Sequence, residues 1–83
     1  MGRPVDRIIL RPVNGWMIRV TRPLSGQPPA VQLYAVAEAD VAAAVRAVRD
    51  RTGALPEQIE PLEVLNPLAL AALGLKPGEV CVI

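Results

Sequence analysis

The fold turns on residues 30–53, AVQLYAVAEADVAAAVRAVRDRTG. The first part alternates: Val31, Leu33 and Ala35 share one side of an extended chain, and Gln32, Tyr34 and Val36 share the other. The period then changes. Val41, Ala44, Val45 and Val48 recur at helical spacing, Asp40 stands where an N-cap belongs, and Gly53 stands where a helix stops. Arg46, Arg49 and Arg51 crowd the last turns, where cations suit the helix dipole. Ala42, Ala43, Ala44 and Ala47 raise helix propensity. The spacing therefore predicts a strand over residues 30–37 and a helix from Val41 to Thr52.

Toward the N-terminus, residues 22–29 (RPLSGQPP) combine three prolines with a Gly and a Ser and carry no periodicity, which predicts a loop. Before them, residues 7–13 (RIILRPV) and 16–21 (WMIRVT) read as two strands flanking Asn14-Gly15, a strong two-residue hairpin signal. That turn sets Val13 opposite Trp16, Arg11 opposite Ile18 and Ile9 opposite Val20. Ile9, Val13, Trp16, Ile18 and Val20 then form a core face; Ile8, Leu10, Met17, Arg19 and Thr21 form the other. Arg11 falls on the apolar face, against this register, and Pro12 restricts the first strand to an edge or a bulge.

Toward the C-terminus, residues 58–65 (QIEPLEVL) read as a strand that Pro61 confines to an edge or bulge. Asn66-Pro67 opens a short helix that stops at Gly74. Lys76-Pro77-Gly78 turns the chain into a last strand, residues 79–83 (EVCVI). The order is β-β-β-α-β-α-β. It describes an α+β protein: one domain over residues 1–83, in two layers, with a mainly antiparallel sheet and the helices on one face.

The chain is 52% hydrophobic with mean hydropathy +0.34, too apolar for a disordered segment. It has no Phe, and Trp16 and Tyr34 are its only aromatics. A short chain with so much apolar surface hides it incompletely, which favours self-association. The net charge of +1 exerts no general pull on nucleic acid. Its distribution is uneven: residues 1–22 hold Arg3, Arg7, Arg11, Arg19 and Arg22 against Asp6, whereas the acids gather beyond residue 37. Cys81 is the only cysteine, so no internal disulfide forms, which suits a reducing compartment. Ile8–Leu10 is too short for a signal core, and no apolar run approaches about 18 residues. These features predict a cytoplasmic protein without a membrane anchor. The final VCVI is not a prenylation box, since Cys81 is third from the end.

Catalytic groups are sparse. Without His, the Ser-His-Asp and Cys-His arrangements cannot be built, and the commonest metal ligand is missing. Ser25 is the only serine and reads as a turn residue. Cys81 lies in an apolar strand and reads as a buried, inert thiol. Glu57, Glu60 and Glu63 recur every three residues, but Pro56 and Pro61 argue against the helix that would align them. There is no calcium-loop pattern, no GxxxxGK[ST] and no GxGxxG. The sequence therefore points away from an enzyme and names no metal or cofactor.

What remains is binding. The leading expectation is a non-catalytic protein–protein interaction module, a homodimer or the partner of another protein. It would associate through a strand edge or an apolar sheet face, with Trp16 and Tyr34 as the contact candidates. A second reading is weak nucleic-acid binding through Arg7, Arg11, Arg19 and Arg22. The isoelectric point near 8.0 and the shortage of stacking aromatics weigh against it. A third is a small anionic ligand held between apolar walls by an arginine or two.

Two resemblances touch this reading. Residues 73–80, LGLKPGEV, resemble the turn into a strand of the swapped-hairpin AbrB/MazE DNA-binding family. That likeness covers one α-to-β junction, which any fold can use, and implies no function here. Residues 30–80 (YAVAEADVAAAVRAVRDRTG, then IEPLEVL, then ALAALGLKPGEV) resemble short bacterial proteins with a capped helix and a terminal LGLKPGEV. That resemblance implies a bacterial source and no particular activity.

Overall fold

The computed structural model describes residues 14–83. They form β1 (Gly15–Leu24), β2 (Gln27–Val36), α1 (Val41–Thr52), β3 (Ile59–Leu65), α2 (Pro67–Ala72) and β4 (Val80–Val82), with a 3-10 turn at Pro56–Gln58. The strands make one sheet in the order β3-β1-β2-β4, and every neighbouring pair is antiparallel. This is the expected α+β class, and from Gly15 onward the elements follow the expected order. The strand expected over residues 7–13 lies outside the described residues.

Local chemistry sets the helix ends as the sequence indicates. The Asp40 carboxylate accepts the Ala43 N–H at 2.9 Å, and Gly53, at φ 72°, donates its N–H to the Arg49 carbonyl at 2.8 Å. Asn66 caps α2 by accepting the Ala69 N–H at 2.8 Å, ahead of Pro67 at the first helical position. Pro61 sits in edge strand β3, where the pairing with β1 skips from Met17–Glu63 to Ile18–Pro61. Leu62 is the extra residue of that bulge.

The expected hairpin at Asn14-Gly15 is replaced by another. Gly15 is a strand residue opposite Leu65 and lies outside the left-handed region that a two-residue hairpin turn requires. Both edges of β1 over Trp16–Val20 are taken, by β2 and β3, so no edge remains there for the expected register. The tight turn is at Ser25-Gly26, with Leu24 opposite Gln27 and Gly26 at φ 70°. The loop expected over residues 22–29 is therefore mostly strand. Proline fits an extended strand where no ladder N–H is needed. Pro28 and Pro29 fall where the β1–β2 register slips, between the Arg22–Ala30 and Leu24–Gln27 pairs.

Alternation along the strands makes two cores rather than one. Ile18, Val20, Val36 and Ile59 pack under Ala44 and Val48 of α1, with Trp16 and Tyr34 at the margin. On the opposite face, Ala35, Ala37 and Leu65 pack with Leu70 of α2, with Met17, Leu75 and Cys81 alongside. The helices thus divide between the two faces, whereas the sequence reading put both on one. The sheet is apolar on both sides at that end, so each side needs its own cover. Burying each large side chain there contributes about 1.5–3 kcal/mol relative to exposure.

Candidate functional site

The two edges of the sheet are built differently. The β3 edge carries Pro61, the Leu62 bulge, and the acids Glu60 and Glu63. Each of these discourages a further strand from pairing there. The β4 edge is the apolar run Val80-Cys81-Val82, with Ile83 beyond it. The strand carries no proline, bulge or charged side chain, and among the described residues its shortness is the one such device it has.

The hydrogen bonds fix which backbone groups of β4 face outward. Ala37 donates to the Glu79 carbonyl at 2.9 Å and Ile83 donates to the Leu33 carbonyl at 3.0 Å, while Cys81 lies opposite Ala35. The Glu79 carbonyl, Cys81 and the Ile83 N–H therefore face β2, while the Glu79 N–H turns back to the Lys76 carbonyl at 3.0 Å. In an antiparallel ladder the alternate residues point the other way. The N–H and C=O groups of Val80 and Val82 accordingly face out, and no strand among the described residues receives them. Val82 is 52% exposed and Ile83 49% exposed.

Beside this edge lies an open groove of about 630 Å³. Ala47, Asp50 and Arg51 of α1 form one side, and Leu73, Leu75, Glu79, Val80 and Cys81 are among those forming the other. Gly74 and Gly78, both at positive φ, carry the chain round its end. Cys81 is half-buried and lines the groove, whereas the sequence reading expected it buried. Arg51 shares the rim with Asp50 and Glu79, so the charged groups lining the groove are of both signs.

The residues singled out from sequence are dispersed. Trp16 and Tyr34 are both half-buried at the margin of the core under α1. The Trp16 indole N–H donates to the Ala39 carbonyl at 3.0 Å, which fastens the chain leading into α1. Tyr34 lies directly opposite Val82 and so flanks the β4 edge from within. Arg19 pairs with Glu60 across the β1–β3 ladder. Arg22, an odd number of residues away on β1, belongs to the other face and donates to the Thr52 carbonyl at the end of α1. Arg7 and Arg11 lie outside the described residues. The two described arginines of the nucleic-acid reading thus make separate contacts on opposite faces.

Among the described residues, no group of three or more Cys, Asp or Glu is placed to hold a metal ion. None of the described helices is long and apolar enough to cross a membrane. Comparison with protein-family models, with curated proteins and with solved structures finds no match to this chain. The β4 edge escaped the sequence reading because its outward groups are backbone. The available signal was the contrast between the unprotected VCVI and the proline- and acid-bearing QIEPLEVL.

Proposed function

We propose that the protein is a non-catalytic interaction module that self-associates by pairing its β4 edge with that of a second copy. One observation carries this reading: Val80 and Val82 present outward backbone donors and acceptors, on an apolar strand, that nothing among the described residues pairs or covers. Such an edge is complementary to itself, because antiparallel pairing of two identical strands meets every outward donor with an acceptor. The groove rim supports it further. Arg51 and the acids Asp50 and Glu79 offer both signs of charge, so two copies meet without a one-sided repulsion. A cytoplasmic setting suits the free Cys81.

Light scattering coupled to size-exclusion chromatography tests the reading. The mass is expected to rise from that of one chain toward that of two as loading increases into the high micromolar range. A mass that stays at one chain throughout rejects self-association.

A further inference from the structure

We infer that two copies join β4 to β4 about a twofold axis at Cys81, so that Val80 of each faces Val82 of the other and the two Cys81 residues face one another. The inference rests on the self-association proposed above and adds to it the register. Three steps lead to it. First, within β4 only Val80 and Val82 have outward backbone groups, so any hydrogen-bonded pair between the two β4 strands joins residues of that set. Second, setting Val80 against Val82 engages both valines of both copies, giving four hydrogen bonds within β4. Sliding to Val80–Val80 or Val82–Val82 gives two and leaves one valine of each copy without a β4 partner. Third, the four-bond register makes the Cys81 residues a non-hydrogen-bonded pair on the axis.

That geometry has a chemical consequence. Non-hydrogen-bonded antiparallel pairs bring Cα atoms to about 4.5 Å. This lies inside the roughly 4.4–6.8 Å range that a disulfide spans. The Cys81 side chains also project on the same face of the joined sheet, since the axis stands perpendicular to it. The same sheet would run through eight strands, with the two α1 helices on one face and the two α2 helices on the other. The β3 edges, with Pro61 and the Leu62 bulge, would end it on both sides.

Oxidative trapping of the full chain tests the register. With diamide as oxidant, two Cys81 thiols give up two protons and two electrons to the azo bond, which becomes a hydrazine, and an S–S bond forms between the copies. The expected result is a disulfide-linked dimer on a non-reducing gel, formed at least about tenfold faster than by the Cys81→Ser/Val82→Cys chain, whose thiols the register sets apart. Light scattering on the same reduced samples separates the two claims. A dimer in which Cys81 fails to cross-link, or in which the thiol at position 82 links faster, overturns the register and leaves self-association standing. A monomer by light scattering overturns both.

Discussion

A β-carbon placed on Gly15 would lie 2.2 Å from the carbonyl oxygen of Val36, and about as close to the two methyl groups of Leu70 as a collision allows, at 2.9 and 3.0 Å. Gly15 is thus the point where β1, the end of β2 and α2 meet without room for a side chain. Gly15→Ala is expected to lower stability by about 3 kcal/mol, since a backbone oxygen cannot step aside as a side chain can. Gly26→Ala, with open space around it but φ of 70°, should cost about 1 kcal/mol. Urea unfolding followed by the fluorescence of the lone tryptophan separates the two. Equal losses would contradict the steric account.

Trp16 holds Ala39 by its indole N–H. Trp16→Phe keeps most of the apolar contact and removes the donor, so it is expected to cost about 1 kcal/mol. Circular dichroism through a thermal melt checks this. The loss should appear in the melting temperature, with the helical signal of the folded protein preserved. If Trp16 were instead a free contact residue, the melt would not change.

Arg19 and Glu60 face each other across the ladder, 42% and 58% exposed. An exposed pair of this kind couples by roughly 0.2–1 kcal/mol, and salt screens it. A double-mutant cycle with Arg19→Met and Glu60→Gln is expected to return a value in that range, shrinking in about 1 M salt. A coupling that salt leaves intact would point to a buried contact that the exposure of both residues contradicts.

Local chemistry made part of this fold legible. Asp40, Gly53, Asn66, Pro67 and Gly74 each impose a backbone conformation on their immediate neighbours, so helix ends could be read one residue at a time. Trp16, Ile18 and Val20 alternate with period two, and that placed them on a core face irrespective of which strand lay beside them. Pairing was another matter. Asn14-Gly15 is a good turn sequence, but tertiary packing sets Gly15 in a strand because Val36 and Leu70 need the space. The prolines of residues 22–29 suggested a loop, yet Pro28 and Pro29 are tolerated at a slipped register. The division of the helices depended on Met17, Ala35 and Leu65 belonging to the opposite parity from Ile18, which only the pairing of strands distant in sequence reveals. The same limit applied to the site. Trp16 and Tyr34 attracted notice by size, whereas the outward groups of Val80 and Val82 are set by β4 taking the outer place in the sheet of the described residues.

The central claim is that the β4 edge joins two copies, and Val82 is the residue through which to test it. Its side chain is half-exposed and its backbone groups face outward, so Val82→Lys adds a charge to the edge at little cost to the fold. Sedimentation equilibrium of the unaltered chain beside Val82→Lys is the direct measurement. The expected result is a concentration-dependent dimer for the unaltered chain and a monomer for Val82→Lys, with superimposable far-UV circular dichroism. A dimer of equal strength in both chains, or a monomer in both, would contradict the account.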